Sequence, residues 1–253
     1  MSRHASSAGV GDLLSELRYL AAREARSLAV RELAEAASPE QLLNAVNRHV
    51  PGGASQIPQE ILGFIELART LSPKTLVEVG TEAGGTHLLF GHALKTLEQT
   101  IAVDLRVRNR LRVRGLRRLG LRVDLLNGDS SSDRTLERIR TALGGRSIDV
   151  LFIDGDHSFR GAASDLLRYR PLVRPGGLIA FHDIVPDGWL RTGTATSAYA
   201  GEVPLIWEHI RRDFRCHEFV ASWDQEGKGI GAIENDVGVA VRPLSCTAER
   251  MRS

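Results

Sequence analysis

The chain has 253 residues, of which 42% are hydrophobic and 25% are charged, an ordinary composition for a globular protein. This length suits one large α/β domain or two small ones. The formal net charge of +2 gives no global electrostatic argument for binding nucleic acid or a membrane. The N-terminus shows no apolar segment of a signal peptide, and no apolar run approaches the roughly 18 residues of a membrane span. We therefore expect a cytoplasmic protein.

Three helices are predicted before any strand. Residues 12–37 repeat apolar side chains at three- and four-residue spacing without Gly or Pro, which is the pattern of an amphipathic helix. Residues 38–50 begin with a Ser cap followed by Pro, and residues 58–71 form the third predicted helix. We predict that residues 1–57 are an N-terminal helical extension and that residues 58–253 form the main domain.

From residue 74 onward, short β-branched runs alternate with helical stretches. This alternation is typical of parallel βαβ units, and strands that are apolar throughout fit a sheet covered on both faces. We predict an α/β fold, a doubly wound and mostly parallel seven-stranded sheet of the Rossmann-like type. In such sheets, ligands bind outside the carboxyl ends of the strands. The predicted strands are 75–80, 100–105, 122–128, 148–154, 177–183, 217–222 and 229–235. The helical stretches between the first five strands are 84–97, 106–119, 131–144 and 159–173.

A glycine-rich turn, "VEVGTEAGG", follows the first predicted strand. Its glycines permit a tight turn and close backbone approach. Glu82 occupies the position of the second glycine in a dinucleotide fingerprint, and no Lys follows the last glycine, so the turn is poorly equipped for phosphate. This disfavours one alternative, an NAD-dependent oxidoreductase. The turn suits a ligand with a carboxylate and a cation, which Glu78 would face; the other interpretation is a packing turn.

Acidic residues also end the second and third predicted strands. Asp104 lies 20 residues after Gly84, the spacing of a carboxylate that binds ribose hydroxyls, although capping of the next helix is equally compatible. Asp129 could accept a hydrogen bond from an adenine amino group. Ser130 and Ser131 more readily cap the following helix.

The strongest pattern is the segment "LFIDGDHSFRG" together with "FHDIVPD". Asp154 ends the fourth predicted strand, and His182 and Asp183 end the fifth, so we expect these side chains to lie close together. Such a set could hold one divalent cation, and His157 beside it would suit a general base near neutral pH. The alternative is a hydrogen-bonded polar rim without metal.

The ordered motifs "LVEVGTEAGG", "IAVDL", "NGDSSS", "IDVLFIDGDHSF" and "PGGLIAFHD" resemble those of class I S-adenosylmethionine-dependent methyltransferases. The DGDH segment is similar to the branch of macrolide-sugar O-methyltransferases and cephalosporin-hydroxylase-like proteins. The resemblance implies an O-methyltransferase that uses S-adenosyl-L-methionine, with Mg²⁺ or Mn²⁺. It implies cofactor binding by Glu78, Gly80, Thr81, Gly84, Asp104, Asp129 and Ser130, metal binding by Asp154, His182 and Asp183, and catalysis by His157 and Asp154. Relatives of this type have two acids where this chain has His182 and Asp183, which puts the identity of the metal in question because imidazole is a poorer Mg²⁺ ligand.

Two further segments leave alternatives open. Eight arginines at 105–122 suggest RNA methylation or binding, but the segment lacks the aromatic residues of a base-stacking surface, and a solvated helix face is the preferred interpretation. Some of these arginines could instead hold a nucleotide-sugar diphosphate. The loop 184–202 is either a lid, with Trp189 and Tyr199 over an acceptor, or a surface loop. We expect a small-molecule acceptor such as a sugar or natural product, no nucleic acid, no membrane, and a homo-oligomer.

Overall fold

The computed structural model describes residues 13–14 and 16–241, without the side chains of residues 23–26. Three helices precede the sheet: α1 (Arg23–Glu35), α2 (Pro39–His49) and α3 (Pro58–Thr70). Residues 16–21 are also helical, but the predicted helix 12–37 is interrupted at Ala22, whose φ of −82° and ψ of 67° are not helical. Residues 1–12, 15 and 242–253 lie outside the described part of the chain. The boundary of the extension at residue 57 stays a prediction.

The sheet has seven strands in the order β3-β2-β1-β4-β5-β7-β6. Strands β1 to β5 pair in parallel, β7 is antiparallel to β5, and β6 is antiparallel to β7. The predicted fold class is therefore confirmed. In chain order the elements are β1 (Thr75–Val79), α4 (Gly85–Ala93), β2 (Gln99–Asp104), α5 (Arg110–Arg114), β3 (Arg122–Asn127), α6 (Asp133–Leu143), β4 (Ile148–Ile153), α7 (Phe159–Tyr169), β5 (Val173–His182), α8 (Gly188–Thr192), α9 (Val203–Ile210), β6 (Cys216–Phe219) and β7 (Ile230–Glu234).

The central strands are apolar throughout because both faces of the sheet are covered. Successive side chains of a strand point to opposite faces. In β4, Val150 and Phe152 belong to one buried cluster, which includes residues of α2, α3 and α4. Leu151 and Ile153 belong to the other cluster, which includes residues of α6, α7 and α9. Helix α2 therefore packs into the same core as the sheet.

The carboxyl ends of β1 and β4 lie side by side at the centre of the sheet. The chain runs outward from β1 through β2 to β3, and then crosses back to β4 and β5. Helices leave in opposite directions at this switch point, so the strand ends between them stay open to a ligand. No helix in the described part of the chain combines the length and apolar character needed to cross a membrane.

The predicted helix 106–119 is the element that differs most from expectation. Helix α5 covers only Arg110–Arg114, and a 3₁₀ segment continues it over Gly115–Leu119. The segment alternates arginine with apolar residues, a period of two that gives a helix no continuous apolar face. Asn109, with φ of 48°, also starts α5 from the left-handed region. The predicted loop at 184–202 contains the short helix α8.

Candidate active site

A cleft of about 890 Å³ opens at the carboxyl ends of the parallel strands. Its walls come from the ends of β1, β2, β3, β4 and β5. Three segments distant in sequence complete it: residues 53–55, residues 197–199, and the pair Glu226 and Lys228. Residues 197–199 belong to the loop 184–202, for which a lid was one of the two interpretations, whereas the sequence patterns did not indicate the other two contributions.

The glycine turn after β1 brings backbone to the cleft surface. Gly80 has φ of +86°, and a Cβ there would lie 1.9 Å from the Asp154 carbonyl oxygen, so no larger residue fits. Gly84 has φ of +78°, and its Cβ would lie 2.5 Å from Val113. Gly80 and Thr81 line the cleft. A ligand therefore meets main chain here, as the sequence predicted.

Glu78 lies behind this turn and does not line the cleft. Its side chain is 1% exposed, and its Oε2 is 2.9 Å from Nδ1 of the equally buried His87. Burial raises the pKa of Glu78, and the His87 bond opposes that shift. The sequence predicted this carboxylate beside the cationic part of a ligand, but Glu78 does not reach the cleft. His87 was not singled out from the sequence, because its partner is nine residues away and only helix packing brings the two together.

Asp104 lines the cleft at the end of β2. Its Oδ2 accepts a hydrogen bond from the Glu82 N–H at 2.7 Å, and its Oδ1 accepts one from the Arg106 N–H at 2.7 Å. Each carboxylate oxygen has a second lone pair, so the residue can hold the turn and still receive hydroxyl groups. Asp104 does not cap the following helix, whose N-cap is Asn109, and ribose binding stays the prediction for this residue.

Asp129 and Ser130 also line the cleft, at the end of β3. The Asp129 Oδ1 accepts hydrogen bonds from both the N–H and the hydroxyl of Ser131, and these bonds lower the pKa of Asp129. The cap of α6 is Ser132, whose Oγ accepts from the Thr135 N–H, so the expectation that Ser130 or Ser131 caps this helix was wrong. The chain needs two more residues to turn before the helix begins.

Four side chains converge at the ends of β4 and β5, as predicted. Nδ1 of His182 lies 3.1 Å from the Asp154 Oδ1 and 3.1 Å from the Asp183 Oδ2. Nε2 of His157 lies 3.5 Å and 3.6 Å from the same two oxygens. Asp183 adopts a left-handed φ of 64°, and its Oδ1 accepts a hydrogen bond from the Lys228 N–H.

The charges of this cluster are strongly coupled. Burial alone would lower the pKa of His182, but the Asp154 and Asp183 carboxylates outweigh burial and raise it to about 10. Burial alone would also lower the pKa of His157, but the same two carboxylates outweigh burial and raise it. Burial would raise the pKa of Asp154, but the two imidazoles hold it well below its usual value. The arrangement therefore favours a positive charge between the carboxylates.

A divalent cation fits this arrangement. One ligand atom from each of Asp154, His182 and Asp183 lies within 4.8 Å of the others. Neighbouring ligands of an octahedral Mg²⁺ at about 2.1 Å are about 3.0 Å apart, which matches the two separations of 3.1 Å. The fit is geometric, and His182 would have to release its proton to bind the ion, since its raised pKa favours the protonated ring. The imidazole among the ligands favours Mn²⁺ more than a set of carboxylates would.

The loop after β5 is braced by hydrogen bonds. The Arg191 guanidinium donates to the backbone carbonyls of residues 223, 224 and 225. Tyr199, which is 71% exposed, lines the cleft and stacks on the His157 ring at a centroid distance of 5.6 Å. Trp189 is 61% exposed and does not line the cleft. Of the two aromatic residues predicted to cover an acceptor, only Tyr199 is in position.

The arginine segment lies outside the cleft, since no arginine is among the residues that line it in the described part of the chain. Arg110 donates to the Leu125 carbonyl and the Asn127 Oδ1. The Arg112 guanidinium stacks over the Tyr19 ring at 4.1 Å. These contacts support the fold and do not form a diphosphate site.

Comparison with known proteins decides what this domain is. Residues 77–184 match the model of a family described as "Methyltransferase domain". These residues form a methyltransferase domain. The matched range begins in β1 and ends after β5, so it contains the glycine turn and all four clustered side chains. The predicted methyltransferase family is thereby confirmed for these residues, which make up less than half of the chain.

Solved structures share the fold of this methyltransferase domain. A Klebsiella pneumoniae protein, whose assignment as an O-methyltransferase is provisional, is 19% identical with a TM-score of 0.55, over 82% of this chain and 90% of that one. The Bacillus cereus O-methyltransferase in complex with SAH is 16% identical with a TM-score of 0.54, over 78% and 90%. The O-methyltransferase TomG of Streptomyces achromogenes, in complex with SAM, is 17% identical with a TM-score of 0.54, over 82% and 90%. No curated protein matches the sequence.

Proposed function

We propose that the chain is an S-adenosylmethionine-dependent O-methyltransferase that acts on a hydroxyl group of a small molecule with the help of a divalent cation. The observation that carries the proposal is the convergence of Asp154, His157, His182 and Asp183 on one wall of the cleft. A base, a cation site and a cofactor cleft within one cavity are what methyl transfer to a weakly acidic hydroxyl requires.

The cleft suits a cofactor that carries a positive sulfonium. Among the described residues that line it, seven are carboxylates and one is a lysine. Gly80 and Thr81 would hold the amino-acid end, Asp104 the ribose, and Asp129 with Ser130 the adenine. Gly84 does not line the cleft and would act only by shaping the turn. Glu78, behind the turn, would act only through the negative field it adds when ionised. The bound cofactor supplies the methyl group, and the protein aligns it with the acceptor oxygen, which is worth about 7–11 kcal/mol.

His157 is oriented to remove the proton of the acceptor. Its Nδ1 lies 3.0 Å from the carbonyl oxygen of Tyr199, so Nδ1 carries the proton that it donates there. Nε2 then presents its lone pair toward the carboxylate cluster, where the acceptor hydroxyl would bind. The stacked Tyr199 ring fixes the imidazole plane and offers an apolar face to the acceptor.

Asp154, His182 and Asp183 would hold the cation, as Mg²⁺ or Mn²⁺. A cation there would lower the pKa of the acceptor hydroxyl and orient its oxygen. The acceptor class that best fits the exposed aromatic face and carboxylate-rich wall is a sugar or another polyhydroxylated natural product. A homo-oligomer and a cytoplasmic location remain part of the proposal.

The rival functions receive less support. An RNA methyltransferase would present its arginines to the substrate, whereas Arg110 and Arg112 are engaged within the fold and no described arginine lines the cleft. An NAD-dependent oxidoreductase would need room for a pyrophosphate at the glycine turn. The seven carboxylates that line the cleft would repel both the phosphates of RNA and the pyrophosphate of NAD.

Calorimetry tests the cofactor directly. S-adenosylhomocysteine should bind with one site per chain, and NAD should not bind. Asp104→Ala should weaken S-adenosylhomocysteine by about tenfold, because a lost hydrogen-bond partner of the ribose costs about 1–3 kcal/mol. Asp133→Ala, which removes an exposed carboxylate outside the cleft, is the matched control. Binding of NAD in place of S-adenosylhomocysteine would overturn the proposal.

A further inference from the structure

Asp165 is a buried acid that the proposed chemistry does not use. It lies on α7 with 0% exposure, and neither of its carboxyl oxygens has a hydrogen-bond partner among the described residues. Burying an unpartnered polar group costs about 1–3 kcal/mol by protein measurements. A group kept at this cost needs an explanation from its surroundings.

The surroundings are the underside of the cleft. A Cβ built on Gly155, which lines the cleft, would lie 3.6 Å from the Asp165 Oδ2. The Ser130 side chain is close enough to the Asp165 carboxyl to influence its ionisation. Asp165 thus sits below two residues of the cleft wall, at the end where the adenine is proposed to bind.

Tyr169 lies one helical turn further along α7, on the same face as Asp165. Its hydroxyl donates a hydrogen bond to the Ser130 carbonyl oxygen. Tyr169 is otherwise fully buried in the core of the α7 side of the sheet. One face of α7 therefore meets Ser130 at two points: Tyr169 at the Ser130 carbonyl, and Asp165 at the Ser130 side chain.

The Ser130 N–H makes no hydrogen bond to any described residue, and Ser130 lines the cleft. The direction of this N–H is set by the orientation of the adjoining backbone. Because Tyr169 holds the Ser130 carbonyl, it limits how that backbone can rotate.

We propose that Asp165 and Tyr169 are positioning residues that hold the Ser130 backbone and side chain for the nucleobase end of the cofactor. The inference rests on the proposed function, since it assumes that a nucleoside binds in the cleft. Burial raises the pKa of Asp165 to about 7, and Asp156 and Asp129 add to the shift while Ser130 and Arg168 oppose it. A neutral carboxyl can donate one hydrogen bond as well as accept, which an ionised one cannot.

The test compares four variants by calorimetry with S-adenosylhomocysteine and by thermal unfolding. Tyr169→Phe should weaken binding by about five- to tenfold, the effect of one lost hydrogen bond. Asp165→Leu should weaken it by a similar factor, because the Ser130 side chain loses its polar neighbour. Asp165→Asn, which is neutral and of the same shape, should bind within about twofold of wild type. Leu166→Ala is the matched control, because Leu166 is fully buried on the same helix and belongs to the core. It should lower the unfolding temperature without changing the affinity.

With an acceptor in hand, Tyr169→Phe should raise the KM for S-adenosylmethionine and leave kcat within about twofold. Equal affinities in Tyr169→Phe and the Leu166→Ala control would overturn the inference, as would a loss in Asp165→Asn as large as in Asp165→Leu. If Asp165→Leu does not fold, Tyr169→Phe and Asp165→Asn still decide. Failure of the wild type to bind S-adenosylhomocysteine would instead overturn the proposed function, and the inference with it.

Discussion

His157 is held on both sides of its ring, and this single residue links the cleft to the carboxylate cluster. One nitrogen faces the Tyr199 carbonyl, and the other lies within 3.6 Å of Asp154 and Asp183. Its place after a strand end was readable from the sequence. Its bond to Tyr199, 42 residues away, was not readable, because it depends on how the loop after β5 folds back.

His157→Ala should leave binding of S-adenosylhomocysteine unchanged and lower the methylation rate by about 10²–10⁴-fold, the usual effect of losing a general base. A base acts only when neutral, so the wild-type rate should rise as pH rises through the pKa of His157. Burial alone would lower the pKa of His157, but the neighbouring carboxylates outweigh burial. The pKa of His157 therefore lies above its ordinary value. The rate of the His157→Ala variant should not show this increase with pH. The control is His217→Ala, because His217 lies away from the cleft, where it forms a hydrogen bond with Glu234. A pH profile unchanged in His157→Ala would assign the proton transfer to another group.

Gly80 and Gly120 form a matched pair for testing the glycine turn. Their φ angles are +86° and +85°, but a Cβ at Gly120 meets nothing within 4 Å, whereas one at Gly80 would collide with the Asp154 carbonyl. Gly120→Ala should therefore cost only the backbone strain, about 1–2 kcal/mol of unfolding free energy. Gly80→Ala should cost more and abolish binding of S-adenosylhomocysteine. Equal behaviour of the two variants in thermal unfolding and calorimetry would show that the turn tolerates a side chain.

Among the elements, those with a strong local pattern were predicted and those shaped by distant contacts were not. The strands of the sheet lie within a few residues of their predicted positions, since β-branched apolar runs between turns are a local signal. The long helix predicted at 106–119 was wrong because its apolar residues have no helical period. The bracing of the loop after β5 by Arg191 joins residues more than 30 positions apart, which no local pattern encodes.

The arginine segment gives a prediction at this scale. Arg110 bonds the end of β3, whereas Arg114 is exposed and makes no contact with the cleft. Arg110→Ala should lower the unfolding temperature, and Arg114→Ala should not. Neither should acquire or lose affinity for RNA in a filter-binding assay. Tight RNA binding by the wild type that weakens steeply with salt and disappears in Arg114→Ala would restore the RNA alternative.

At the scale of the whole molecule, the sheet topology explains why the site could be anticipated. Parallel strands end on the same edge, so Asp154 and His182 meet although 28 residues separate them. Closure of the cleft by residues 53–55 and by Glu226 and Lys228 could not be anticipated. The loop that carries Glu226 and Lys228 depends on the buried Glu60, whose carboxylate accepts hydrogen bonds from the N–H groups of residues 221 and 229.

The central claim is that the two strand ends hold a divalent cation beside the cofactor cleft. Titration of the metal-stripped protein with Mn²⁺, followed by electron paramagnetic resonance in the presence of S-adenosylhomocysteine, tests it most directly, because Mn²⁺ tolerates imidazole ligands. The wild type and an Asp224→Ala control should bind one ion per chain, and Asp154→Ala should bind none. Absence of binding in the wild type, or binding that survives in Asp154→Ala, would contradict the account.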